Sequence, residues 1–321
     1  MQLGSLKTLA MTLVLGTASL SCAFAQDFPN RRLTLIVGFA AGSGADVLTR
    51  YYASKLSLDV GQPVIVENKA GANGALAAQA VMQSKPDGYT LLFAPSASMS
   101  GGKFLYANLP YDSQKDFVVV APLLDNGFAL AVSANAPVHS VAELTALLKA
   151  KPTARYGTSN STGIAAAQLY KTLAGVQATQ VAYKTTGDAL PDLADGTLDF
   201  MFLDGVFALS QLKTGKVRLL ATVGSRIESA PDVPTMEEAG IKGYGFSVWW
   251  MIAAPVATPK EVVDRLNAAF NRISAMPETK SFLATAAAAP LTGTPEAIVG
   301  KLARDIETWG ELARAGGIKP Q

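Results

Sequence analysis

Ten short apolar runs alternate with helical patterns along almost the whole chain, and this alternation limits the fold more than any other feature. The runs are "LTLIVGF", "VIVEN", "TLLFA", "FVVVAPLL", "FALAVSA", "ARYGTS", "QVAYK", "DFMFLD", "VRLLATVG" and "VWWMIAAP". They are continuously apolar, as expected of parallel strands covered on both faces. Helices are expected to begin near Ala45, Asn73, Val141, Gly163, Asp188, Thr235, Pro259 and Pro295. Ser140 with Glu143, and Thr258-Pro259-Lys260-Glu261, fit capping boxes. Such an order predicts doubly wound α/β sheets with right-handed crossovers. Ligands then sit beyond the C-terminal strand ends, at helix N-termini. With 321 residues, 49% of them hydrophobic, the chain can fill two domains. No low-complexity tether separates them, so the crossings are expected within structured strands near "DNGFALAVSA" and "SVWWMIAAP".

The first 25 residues read as something else. Lys7, the apolar "LAMTLVLG" and the A-x-A site Ala23–Ala25 form a secretory signal, cleaved near Ala25. The mature chain then starts near Gln26 and is exported. Cys22 lies inside the signal, and "SLS" before it lacks the apolar residue that a lipid anchor needs. The mature chain therefore has no disulfide and no cysteine ligand for a metal. Losing Lys7 and no acidic residue takes the formal net charge from +2 to +1. Nothing resembles a basic nucleic-acid-binding stripe. No later apolar stretch reaches the ~18 residues of a membrane span.

The glycine-rich turn "GFAAGSGADVLTR", between a strand and a helix, carries the chemistry. It is not a dinucleotide fingerprint, because Val47 stands where G-x-G-x-x-G needs its last glycine. It has no lysine for a P-loop, and Ser43 lies between adjacent glycines, so the G-x-S-x-G elbow is absent. His139, the sole histidine, supports neither a histidine metal site nor a Ser-His-Asp triad, and no cofactor is implied. One enzymatic alternative remains. Ser100-Gly101-Gly102-Lys103, Ser133-Ala134-Asn135 and Lys213-Thr214-Gly215 follow the motif order of penicillin-binding serine acyl-enzymes. Against it, Lys213 ends the helical pattern "FALSQLK" where an edge strand is required. The glycines of "SMSGGK" also make a poor helix.

The stretches "FPNRRLTLIVGFAAGSGADVLTR", "GQPVIVENKAGANG" and "PDGYTLLFA" resemble the Bug-type substrate-binding proteins of tripartite tricarboxylate transporters. So do "YKTTGDALPDLADGTLDFMFLD", "GKVRLLATVGSRIESAPDVPTMEEAGIKGY" and "VWWMIAAPVATPKEVVDRLNAAF". The resemblance covers essentially the whole mature chain. It implies a periplasmic two-lobed binding protein of the type II-like fold, with Rossmann-like lobes closing on a small carboxylate that is passed to a membrane permease. A sensor presenting the closed form to a signalling partner uses the same closure and stays open as an alternative. Lobe 1 is expected to combine residues 27–127 with 251–321, lobe 2 to span 128–250, and the protein to be a monomer.

The residues suit a carboxylate receptor. Exposed amides at a helix start give donors and a positive potential without a cation. In the first turn, Phe39, Ala41, Gly42, Ser43, Gly44, Ala45 and Asp46 are expected at the ligand. Asp46 either caps amides and holds the loop or meets a ligand amine. In the second lobe, Thr158, Ser159, Asn160, Ser161 and Thr162 precede one helix and Thr185 and Thr186 another. Singly, such hydroxyls cap helices; as two turns in a binding family they read as a site. Lys184 can pair with a distal carboxylate or with Asp188. Ser96, Ser98 and Asp204 complete the expected contacts. Tyr183, Trp249 and Trp250 supply either cleft walls or core. The family pattern "AGGGTD" is replaced by Ala41–Asp46, the second turn lacks its usual histidine, and Met251 replaces a glycine. These departures leave the ligand's identity open but not its class, and the aromatic and hydroxyl content suggests a bulkier or aromatic dicarboxylate.

Overall fold

A computed structural model describes residues 28–244, 246–315 and Pro320. The signal segment, its cleavage site and Cys22 lie outside the described residues. Among the described residues, eleven strands form two sheets. They are β1 (Leu33–Val37), β2 (Val64–Asn68), β3 (Thr90–Pro95), β4 (Phe117–Asn126), β5 (Phe128–Ser133) and β6 (Arg155–Thr158). The rest are β7 (Thr179–Ala182), β8 (Phe200–Asp204), β9 (Val217–Val223), β10 (Trp249–Pro255) and β11 (Ala288–Pro290). The first sheet runs β11-β4-β10-β3-β1-β2 and the second β7-β6-β8-β5-β9.

Helices α1 (Gly44–Val60), α2 (Ala75–Met82), α3 (Ser96–Leu105), α8 (Lys260–Ala275), α9 (Pro277–Thr285) and α10 (Pro295–Ala315) accompany the first sheet. Helices α4 (Val141–Ala150), α5 (Ser161–Ala174), α6 (Leu190–Ala194) and α7 (Gly205–Lys213) accompany the second. Apolar clusters lie on both faces of each sheet, so most residues of the central strands are buried, as continuous apolar runs require, while the edge strands β2 and β7 are half-buried or exposed.

The sheets are mixed, not parallel throughout. β1, β2 and β3 are parallel, as are β6, β7 and β8, but β10 is antiparallel to β3 and β4, and β5 to β8 and β9. The cause is the way the chain changes sheets. It runs from β4 into β5 through Gly127 alone and returns into β10. The expected boundary at 250/251 therefore cuts β10, because Trp249 and Trp250 already pair with β4, and Trp250 also with β3.

Two local expectations also fail. At Thr235 the capping box forms, with Thr235 N–H donating to Glu238 (2.8 Å) and Glu238 N–H to the Thr235 hydroxyl (3.2 Å). Only a turn follows, ended by Gly240 at φ +94°. Conversely "SMSGGK" is helical, within α3. A Cβ on Gly101 would lie 2.6 Å from the Trp309 ring of α10, so glycine is what lets the two helices meet. That packing overrides the ~1 kcal/mol helix cost of a glycine.

Candidate functional site

The first turn leaves β1 at Val37 and enters α1 at Gly44. Ser43 is the N-cap, its Oγ accepting from Asp46 N–H (3.3 Å). Gly42 has φ +79°, which only glycine adopts readily, and its N–H donates to Asp46 Oδ2 (2.9 Å). Buried Asp46 also accepts from Arg50 Nε (3.0 Å) and Asn68 Nδ2 (2.9 Å). Asn68 in turn donates to the Phe39 carbonyl (3.0 Å). Arg50, followed by the Gly42 amide and Asn68, holds the Asp46 carboxyl down at about 2, against its burial.

Asp46 thus folds inward and fixes the turn, and it occupies the Gly42 amide. That corrects the expectation of Gly42 as a ligand donor. The open donors of this turn include the amides of Gly44 and Ala45, both orphans of the first helical turn. The Ser43 hydroxyl hydrogen adds a third. Ala41 and Gly44 are exposed beside them, and Phe39 is half-buried.

Because the Asp46 carboxyl is depressed, its stabilisation is present above the ordinary value near 4 and is lost as pH falls toward about 2. Asp46→Asn is expected to cost about 1 kcal/mol at pH 7, discounted because Arg50 is half exposed. Urea unfolding of both proteins should show that gap narrowing below pH 4.

A second loop supports the first by direct backbone contact. A Cβ built on Gly38 would lie 2.3 Å from the Gly74 Cα, and one on Gly74 would lie 3.5 Å from the Ser98 hydroxyl. Ser98 is therefore just behind this double turn. Ser96 is not a contact residue. It is buried, its Oγ accepting the Trp249 amide (3.3 Å) and its carbonyl the Ser100 hydroxyl (2.7 Å). Ser100 is 1% exposed and so unavailable as a nucleophile. Lys213 ends α7, and Gly215 turns the chain at φ +67°, away from any edge-strand role.

At the second sheet, Asn160 caps α5 by accepting from Gly163 N–H (2.8 Å), and Thr158 Oγ1 donates to the Asn160 carbonyl (3.2 Å). Ser159 Oγ and Thr186 Oγ1 lie 2.8 Å apart, joining the two hydroxyl-rich turns. Thr162 is buried within the first turn of α5, and the Ser161 side chain lies outside the described residues. Thr185 and Asp188 bond each other reciprocally (3.0 and 3.3 Å), so this hydroxyl is a cap. That bond takes Asp188 from Lys184, which is exposed and has no ion-pair partner among the described residues. Asp204 caps α7 through Phe207 N–H (3.0 Å), and burial pushes its carboxyl up.

Tyr183 donates to Asp192, and fully buried Trp249 donates to Asp305 (2.6 Å), so Trp249 is a packing residue rather than a cleft wall. Phe39 meets Trp250 at 5.7 Å between ring centres, and Trp250 meets Phe93 at 5.2 Å. The turns after β1, β6 and β8 therefore place amides and hydroxyls at the C-terminal strand ends, where α/β sheets bind ligands. Asn68 is the residue sequence reasoning missed. Its position at the end of "VIVEN", beside the first turn in a parallel pair, was the available signal.

Residues 48–318 match the model of the tripartite tricarboxylate transporter family receptor. The chain belongs to that receptor family. A UPF0065 protein of Bordetella bronchiseptica is 33% identical over 99% of this chain and 95% of its own. BugT of Bordetella pertussis is 30% identical over 95% of each. An R. palustris protein solved with adipate superposes with TM-score 0.82 at 31% identity, over 92% of this chain and 100% of its own. MatC from Rhodopseudomonas palustris with bound malate gives TM-score 0.77 at 30% identity, over 89% of this chain and 100% of its own. Members of this receptor family are periplasmic solute receptors of the two-lobed binding-protein fold, not enzymes, and this chain is one of them. No helix among the described residues is long and apolar enough to cross a membrane.

Proposed function

We propose that the chain captures a small dicarboxylate between its lobes and delivers it to the membrane permease of a tripartite transporter. The observation that carries this reading is the pair of open amides at Gly44 and Ala45, aimed from a turn that Asp46 holds rigid. One carboxylate docks there, with Ser43 and Ser98 beside it. The hydroxyls of Ser159 and Thr186, the α5 start at Asn160–Thr162 and the unpaired Lys184 receive the far end. Each charge-assisted hydrogen bond contributes ~1.5–3 kcal/mol, so three or four support micromolar binding, which needs ~8 kcal/mol net.

Phe39 and Trp250, tilted against each other beside the first turn, favour a ligand with an apolar or aromatic body. Lobe 1 comprises residues 28–127 and 249–315, so that β10 stays whole, lobe 2 residues 128–248, and closure is a hinge motion about the crossings. The protein acts in the periplasm as a monomer, after removal of its first 25 residues. The adipate and malate held by the two Rhodopseudomonas relatives support the ligand class.

A thermal-shift screen over mono-, di- and tricarboxylates, aliphatic and aromatic, tests the proposal. A ligand at 100 times its Kd should add ~2.7 kcal/mol of stability. Aromatic dicarboxylates are expected to shift the transition more than malate does. The carboxylate reading is abandoned if no acid in the screen shifts it.

A further inference from the structure

A cluster of charges outside the two glycine- and hydroxyl-rich turns lies where the chain changes lobes. Asp125 is the penultimate residue of β4, two positions before the Gly127 crossing, and pairs across the sheet with Trp249 at the start of the returning strand β10. Its Oδ2 accepts from Ser225, just beyond the last strand of the second sheet (3.3 Å). Lys301 of α10 donates to Ser247 in the return segment (3.0 Å) and lies 5.4 Å from the Trp249 ring centre. Asp305, one turn further along α10, accepts the Trp249 indole N–H (2.6 Å). Both crossings and the C-terminal helix therefore converge on two half-buried carboxylates and one ammonium.

Asp305 has both Lys301 and Arg304 acting on it, whereas half-buried Asp125 forms no ion pair among the described residues and relies on Lys301 alone, so its charge is costly away from water. We propose that Asp125, Lys301 and Asp305 form a proton-coupled latch at the lobe crossing, which sets the open-to-closed balance by the acidity of the surrounding medium. Rotation about Gly127 draws Ser225 away from Asp125 and admits water to its carboxylate. Protonation of Asp125 removes its uncompensated charge, leaves Lys301 and Arg304 to act on Asp305, and favours the arrangement seen here.

The electrostatics agree in sign. Burial pushes Asp125 up to about 6, against the pull of Lys301 and Ser225, and Asp305 adds to the rise. Burial also pushes Asp305 up, against the Trp249 indole, Lys301 and Arg304. The other charged groups facing the cluster are Arg304 of α10, which acts on Asp305, Arg226, which pairs with Glu238 (2.9 Å), and Glu228. A group raised in one arrangement favours it when protonated. The bias toward the packed arrangement therefore sets in as pH falls through about 6 and is complete below the ordinary carboxylate value.

The test needs no ligand. Val47 and Val206, 49% and 41% exposed, stand in the first turns of α1 and α7, one on each lobe. In a Cys22→Ser chain, cysteines at these two positions take a donor and an acceptor dye without competition. Energy transfer is then followed from pH 5 to pH 8. The expected result is a transition with its midpoint near pH 6 that vanishes in Asp125→Asn. In Lys301→Met the midpoint should rise, because the cation that opposes protonation is gone. A native transfer efficiency that does not change with pH, or a curve unaltered by Asp125→Asn, overturns the proposal. Should Asp125→Asn not fold, Lys301→Met decides alone, and an unmoved midpoint counts against the latch.

Discussion

Gly38→Ala is expected to weaken ligand binding at least ~100-fold, about 2.7 kcal/mol, while the second lobe keeps its fold. The added methyl would sit 2.3 Å from the Gly74 Cα and 3.3 Å from the Gly74 carbonyl carbon and oxygen. Backbone cannot swing aside as a flexible side chain does, so the two loops must part by more than an ångström. The loop that moves carries the Gly44 and Ala45 amides, whose value to a carboxylate depends on distance and alignment. It also carries the Gly42 amide and Phe39 carbonyl that tie the turn to Asp46 and Asn68. The displacement is therefore passed to every donor at once, which a single hydroxyl deletion cannot do.

Titration calorimetry with the acid selected by the stability screen reads the effect directly. Circular dichroism would show whether overall secondary structure is retained. A native Kd in Gly38→Ala would remove this turn from the site altogether. The smaller substitution Ser43→Ala deletes only a cap and one donor, and is expected to weaken binding about tenfold.

What the sequence disclosed about this turn, and what it hid, follow from the range of the interactions. The strand, the glycine pair and the cap at Ser43 are local chemistry, so they are legible in "LTLIVGFAAGSGAD". The capture of the Gly42 amide by Asp46 depends on how a side chain turns once Arg50 and Asn68 are packed beside it. Lys184 was ambiguous for the same reason, until Asp188 proved to be occupied by Thr185. Strand direction was illegible because burial on both faces removes polar alternation from parallel and antiparallel strands alike. β11, with three residues and two alanines, carries no periodic signal. α3 was hidden because its glycines read as helix breakers when taken without their partner. That partner lies more than two hundred residues away, at Trp309.

Trp309→Ala is expected to destabilise the protein by 3–5 kcal/mol, the range for emptying a buried tryptophan site. The side chain is 1% exposed, fills the space that Gly101 leaves open on α3, and meets Phe246 edge-on at 6.3 Å. It belongs to the apolar cluster that continues into the second lobe through Phe202 and Tyr244, so its loss loosens the seam between lobes and the C-terminal helix together. Gly101→Ala attacks the same contact from the other side. Its methyl would fall 2.6–2.8 Å from three ring atoms, and a ring locked in a full core has nowhere to turn. The two substitutions should not add. In the double variant the methyl enters the cavity left by the ring, and the combined cost falls below the sum of the single ones by about 1–2 kcal/mol. Urea unfolding of the four proteins measures that coupling. Strictly additive costs, or a loss below about 1 kcal/mol for Trp309→Ala, would show that α10 is not what fastens the lobes at this seam.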